Sequence, residues 1–223
     1  DPEARIGALF VNPGGPGHGG VDSVPLVTRR FPDEILRRFD VVSWDPRGTG
    51  ASRAVDCVDD AFLDQNDASP AVPDTTAGVQ AIRSYVTSFA QGCRTRMGTY
   101  ARQVGTRNSA RDLEAIRIAL GEPTISYLGY SYGTVLGMAY AQMFPTAVRA
   151  MVLDGPPDYW LAGLEYSHAQ ATGFKDALDA FLGWCEGSSS CALRDVAPPR
   201  EALDTLRTSV QSAPIPAQYT LAD

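Results

Sequence analysis

The chain has 223 residues, 44% of them apolar and 20% charged, the balance of a globular protein, with room for one large domain or for one domain and part of another at ~150 residues per domain. Its net charge of −7, from 26 Asp and Glu against 19 Lys and Arg, argues against a nucleic-acid partner, which needs a basic surface. No stretch approaches the ~18 uninterrupted apolar residues of a membrane-spanning helix, and Gly and Pro gather at turns rather than in repeats, which excludes collagen-like and low-complexity readings.

In chain order, Ile6-Gly7-Ala8-Leu9-Phe10-Val11 is a short apolar run stopped by Asn12-Pro13-Gly14-Gly15-Pro16-Gly17. It reads as a strand buried on both faces, as in a parallel sheet. A helix-like stretch follows from Ser23 to Phe31. Phe39 to Trp44 is a second strand, closed by Asp45-Pro46-Arg47-Gly48-Thr49-Gly50. Residues 57–74 are polar and acidic and read as a surface excursion. Between Thr76 and Gly92, Val79, Ile82, Val86 and Phe89 recur at spacings of three and four, which predicts an amphipathic helix capped by Asp74 or Thr75. A second helix is predicted from Ser109 to Leu120, with a stripe of Leu113, Ile116 and Leu120 and a stop at Gly121.

Thr124 to Leu128 is the third strand, Tyr132 to Phe144 a helix ended by Pro145, and Val148 to Leu153 the fourth strand. Strands alternating with helices predict an α/β fold with a mostly parallel sheet and helices on both faces. Beyond Asp158 only helical patterns remain, Glu165 to Trp184 and Arg200 to Ser212. The expected division is therefore a core over 1–158 and a helical cap or lid segment over 159–223.

The four cysteines, Cys57, Cys93, Cys185 and Cys191, contain no CxxC pair, and His18 and His168 are the two histidines. No metal site is expected from this set. Four cysteines allow three disulfide connectivities; nearness in sequence favours Cys57–Cys93 with Cys185–Cys191, the alternative being four buried thiols. Two disulfides would place the protein in an oxidising compartment, secreted from the cell. Asp1-Pro2-Glu3-Ala4-Arg5 has no basic region leading into an apolar core, so any targeting segment is expected to have been removed or cut off.

The sharpest chemical signal is Gly129-Tyr130-Ser131-Tyr132-Gly133, a G-x-S-x-G sequence set between a predicted strand and a predicted helix. A nucleophile on so tight a bend needs neighbours without bulk, and Gly129 and Gly133 provide them. The bend lifts the Ser131 hydroxyl off the sheet, and the Tyr132 amide then points where negative charge would develop. The bland alternative is a serine at the start of a buried helix. The loop at Asn12–Gly17 can supply a second amide, Gly15 first and Gly14 second. It does not match G-x-G-x-x-G in a strand-to-helix setting, which excludes a dinucleotide site. Asp45 and Arg47 are expected to be structural, Arg47 pairing with a carboxylate to hold its loop.

Taken together, Asn12–Gly17, Asp45–Gly50 and Gly129–Thr134 resemble the α/β-hydrolase peptidases of the proline iminopeptidase type. The branch most similar is the secreted tripeptidyl aminopeptidases of actinomycetes, which Arg111-Asp112-Leu113 and Val152-Leu153-Asp154-Gly155 also resemble. The resemblance spans residues 5 to about 160. It implies an α/β-hydrolase core with a helical cap, no cofactor, Ser131 as nucleophile, and an oxyanion hole from the Tyr132 and Gly15 amides. The substrate would be a peptide with a free N-terminus. One departure is Pro13, where proline iminopeptidases proper carry His before the double glycine; this favours the tripeptidyl branch or an esterase relative.

In this fold the order is Ser, then Asp or Glu, then His. His168 is the one histidine after Ser131 and falls in the cap helix with no strand before it, so a surface or cap-packing role is expected of it rather than that of the base. His18 is expected to line the pocket or meet solvent. Asp154 follows a strand but reads as a turn residue. Asp158 and Glu165 are candidates for holding the substrate's amine. The triad base and acid are thus expected in a remaining part of the same hydrolase, of which these residues would be an internal slice or a processed piece. The rival readings are a carboxylesterase acting on small esters and a non-catalytic binding protein on a hydrolase scaffold.

Overall fold

The computed structural model describes residues 3–67, 73, 75–158, 161 and 163–213. The chain divides into two compact units, Asp1–Tyr159 and Trp160–Asp223.

The first unit is built on four parallel strands: β1 (Gly7–Asn12), β2 (Phe39–Val42), β3 (Ile125–Tyr130) and β4 (Val148–Asp154), in the spatial order β2-β1-β3-β4. β1 and β3 are central and largely buried, which is why β1 reads as an unbroken apolar run rather than an alternating one. β4 lies at an edge and alternates from Ala150 to Asp154, with Val152 exposed. Phe10, Trp44, Leu113, Ile125, Tyr127, Leu136 and Tyr140 form the core, which joins the sheet to α5 (Thr106–Ala119) and α6 (Tyr132–Met143).

Helix ends follow from local chemistry. Thr75 caps α4 (Thr76–Gly92) by accepting the Gly78 amide at 3.0 Å; the other expected cap, Asp74, lies outside the described residues. α5 stops at Gly121 (φ +70), where the Gly121 and Glu122 amides return to the Ile118 and Arg117 carbonyls at 3.0 and 3.1 Å. It starts at Thr106, three residues before the expected start at Ser109, because the Gly105 carbonyl takes the Asn108 and Ser109 amides.

Several expectations are corrected. The stretch from Ser23 to Phe31 is helical only at α1 (Val24–Thr28), and a separate α2 (Asp33–Arg38) begins after Pro32. The excursion over 57–74 contains α3 (Asp60–Asp67), started by Asp59 Oδ1 accepting the Phe62 amide at 2.9 Å. Phe62 stacks on Tyr85 of α4, ring centroids 4.9 Å apart. The expected stripe of α4 is not buried: Val79, Ile82 and Val86 are exposed among the described residues, and α4 is tied instead by the Cys57–Cys93 disulfide. Leu120 is likewise exposed, whereas Leu113 is fully buried.

The second unit holds α7 (Leu164–Gly187) and α8 (Pro199–Ser212). The Cys185–Cys191 disulfide closes its turn, with Leu182, Cys185, Cys191, Pro199 and Ala202 buried. Asp179 is held between Lys175 and Arg200. No helix among the described residues is long and apolar enough to cross a membrane.

Candidate active site

The ends of β1, β3 and β4 lie side by side, with Asn12 in register with Gly129 and Tyr130 with Asp154. Open parallel sheets bind ligands at this carboxyl edge. Ser131 follows β3 immediately and opens α6 with φ 51 and ψ −119. A residue with a side chain rarely adopts such a positive φ, and it persists only where the surroundings over-determine it. Here the Ser131 amide donates to the Asp154 carbonyl at 2.9 Å, and the Ser131 carbonyl accepts the Thr134 amide at 2.9 Å and the Thr134 hydroxyl at 2.6 Å. Ser131 is exposed while Gly129 and Gly133 are buried.

The two glycines are required sterically. A Cβ on Gly129 would stand 2.4 Å from the Gly133 carbonyl oxygen, and one on Gly133 would stand 2.7 Å from the Asn12 carbonyl oxygen. The helix start is pinned from below by Tyr127, whose buried hydroxyl donates to the Gly133 carbonyl at 2.7 Å. Burial raises the pKa of that phenol well above its ordinary range, so it remains a donor.

The glycine loop lies directly against Ser131. A Cβ on Gly14 (φ +106) would stand 2.8 Å from the Tyr130 carbonyl oxygen and 3.1 Å from Ser131 Cβ. The two predicted donors of this loop differ. The Gly14 amide is engaged by Asn12 Oδ1 at 3.1 Å. Gly15 is exposed, and its amide has no acceptor among the described residues. On the other side, Tyr132 is the first residue of α6, where a helix leaves its amide without an intrahelical acceptor and concentrates partial positive charge. The Tyr132 hydroxyl meets Thr106 Oγ1 at 2.9 Å, joining the starts of α5 and α6.

The neighbouring loop is held structurally, as expected. Arg47 forms a two-pronged pair with Asp112 on α5, at 2.7 and 2.5 Å. Asp45 is buried and accepts the Val21 amide at 3.0 Å and the Ala51 amide at 2.9 Å; these bonds and one from Gly20 hold its carboxyl below the usual carboxylate range. It thereby ties the chain after the glycine loop to the 46–52 turn.

Asp154 contributes its backbone carbonyl to the Ser131 bend, while the residue itself is exposed. His18 follows the glycine loop and is exposed, as is Asp158. His168 and Glu165 belong to the second unit, on exposed positions of α7. Among the described residues no group of three or more His, Cys, Asp or Glu is placed to hold a metal ion. The contacts that the sequence reading did not anticipate are those of Asn12, Tyr127 and Thr106. For Asn12 there was a signal: a polar amide closing an otherwise apolar strand.

Residues 7–198 match the family model of the α/β hydrolase fold. The serine protease Hip1 of Mycobacterium tuberculosis is 41% identical over 208 residues, 92% of this chain and 40% of that protein. A tripeptidyl aminopeptidase of Streptomyces lividans is 43% identical over 153 residues, 67% of this chain and 28% of that protein. Carboxylesterase B of Mycobacterium tuberculosis is 44% identical over 192 residues, 85% of this chain and 37% of that protein. The chain therefore spans 40% or less of the length of these relatives. With a parallel sheet whose third strand ends in a glycine-flanked serine, and with this match over most of its length, the chain belongs to the α/β-hydrolase fold family.

Proposed function

We propose that this chain is the nucleophile-bearing part of a serine exopeptidase that releases short peptides, tripeptides above all, from free N-termini. The observation that carries the reading is the exposed Ser131 on a strained bend with the Gly14–Gly15 loop packed against it. Ser131 Oγ attacks the scissile carbonyl carbon. Its proton passes to an imidazole, the amine leaves with that proton, and water then hydrolyses the acyl-enzyme. The Gly15 and Tyr132 amides receive the oxyanion. We assign the imidazole and its carboxylate to a part of the protein outside this chain, since the relatives are more than twice as long. Asp158 and Glu165 are the candidates for holding the substrate's amine. The segment over 159–223, with its helices α7 and α8, would serve as a cap, no cofactor takes part, and the two disulfides support a secreted protein.

The similarity to a carboxylesterase supports a second reading, ester hydrolysis through the same serine. The full-length protein should be given an N-terminally free tripeptide amide, its N-blocked form and a short-chain ester, with Ser131→Ala as control. An exopeptidase loses turnover when the amine is blocked; an esterase favours the ester and ignores the amine. Failure of a fluorophosphonate probe to label the full-length protein at Ser131 would leave the scaffold without hydrolytic function.

A further inference from the structure

Asn12 ends β1 with a fully buried side chain, in a strand whose other buried residues include Ala8, Phe10 and Val11. Burying an amide is unfavourable unless its groups are paired, and here the pairing is incomplete. Oδ1 accepts the Gly14 amide at 3.1 Å, whereas Nδ2 has no hydrogen-bond partner among the described residues. Packing alone would be served better by an apolar residue of similar volume.

The geometry points to a different reason for the amide: we propose that Asn12 is a positioning residue that sets the two oxyanion donors relative to each other. This rests on the serine hydrolase reading above. Asn12 touches both donor-bearing segments. On the loop side its Oδ1 accepts the Gly14 amide and draws that peptide down onto the end of β1, a hydrogen bond from two residues ahead of the kind asparagine forms in turns. With Gly14 turned inward against Tyr130 and Ser131, the next residue, Gly15, is exposed and its amide has no acceptor among the described residues. On the helix side, Asn12 O and Oδ1 lie 2.7 and 2.8 Å from where a Gly133 Cβ would be, so the first turn of α6 rests on the same side chain. One buried amide thus fixes both the loop and the helix start, and so the gap in which a developing oxyanion would sit. Replacing Asn12 lets the loop relax without touching Ser131.

The test uses the full-length protein and a matched pair of substrates, an ester and its thionoester, in which sulfur replaces the oxygen that becomes the oxyanion. Sulfur is a poor acceptor, so the ratio of kcat/KM for the two reports on the donors and not on how much protein is folded. Asn12→Ala should lower this ratio about tenfold or more, since losing a single well-placed donor costs 10²–10³ in rate by order of magnitude. Asn12→Ser keeps a shorter acceptor for the Gly14 amide and should fall between. If Asn12→Ala lowers both rates equally and the ratio stays within about twofold of the parent, Asn12 is only structural and the proposal fails. Should Asn12→Ala not fold, an unchanged ratio in Asn12→Ser overturns it as well. Absence of any Ser131-dependent turnover in the parent protein is a different result: it removes the hydrolase reading, and this inference with it.

Discussion

Substitution of Gly14 by alanine tests the closeness of the glycine loop to Ser131. Two separate costs are expected. Gly14 has φ +106, where an alanine is strained by about 1–3 kcal/mol. Its new methyl would also stand 2.8 Å from the Tyr130 carbonyl oxygen and 3.1 Å from Ser131 Cβ, closer than carbon atoms pack. Relief must come from backbone movement, at about 1–3 kcal/mol more. Gly17 separates the two terms, because it has nearly the same φ, +105, and nothing within 4 Å of its Cβ position. Gly17→Ala should therefore show the conformational cost alone, and Gly14→Ala should be less stable than it by about 1–3 kcal/mol. Urea unfolding of the full-length variants measures the difference. Because the loop must move away from Ser131 to relieve the overlap, kcat/KM in Gly14→Ala should also fall by about 10²-fold. Equal stability of the two variants, together with unchanged turnover, would show that the loop does not press on the serine.

Tyr127→Phe removes the 2.7 Å bond to the Gly133 carbonyl and should cost about 1 kcal/mol, a fall in Tm of about 2–4 °C by thermal unfolding; no shift would mean that the hydroxyl does not pin α6. The Asp45 carboxyl is held below its ordinary pKa by backbone amides, so the stability it contributes is fully present above the unfolded value near 4 and is lost as the pH falls through the lower folded value. Urea midpoints measured from pH 5 to pH 2.5 should decline less steeply in Asp45→Asn, and parallel curves would contradict this. Replacing Cys57 and Cys93 together opens a crosslink of sequence separation 36 and should cost about 4 kcal/mol, against about 2 for the Cys185–Cys191 pair at separation 6. Chemical denaturation of the two double variants orders them, and the reverse order would refute the loop-entropy argument.

Strand β1 is legible in the sequence because burial on both faces makes it a continuous apolar run, and the turns after β1 and β2 are legible because clusters of Gly and Pro break regular elements. β3 and α6 meet where Gly129 and Gly133 require it. The excursion over 57–74 was less legible. α3 is acidic and its start depends on one aspartate side chain, while the apolar spacing of α4 signals a helix without telling what, if anything, covers it. The contacts beneath Ser131 were not legible as contacts, although the polar Asn12 closing an apolar strand was a signal that something is bound there. Tyr127 and Gly133 are six residues apart, but Asn12 and Gly133 are joined only by the pairing of β1 with β3, and Thr106 and Tyr132 only by the packing of α5 on α6. Spacing along the chain carries no trace of such pairings.

That distinction bears on why the bend at Ser131 holds its shape. An isolated G-x-S-x-G segment has no reason to keep a serine at φ 51, which a free chain would leave to regain about 1–3 kcal/mol. In the folded chain, leaving it would break the bond from the Ser131 amide to the Asp154 carbonyl on β4, lift α6 off the Tyr127 hydroxyl on β3, and open the contact between Gly133 and Asn12 on β1. Three strands must move for one residue to relax. Each of the bonds is worth only about 1 kcal/mol, yet they share the sheet as a common support and cannot be surrendered one at a time. The strain is thus held by the core and not by the motif. It follows that substitutions at the β4 end, remote in sequence from Ser131 but bonded to its amide, should disturb the geometry of the serine as much as those in the motif itself.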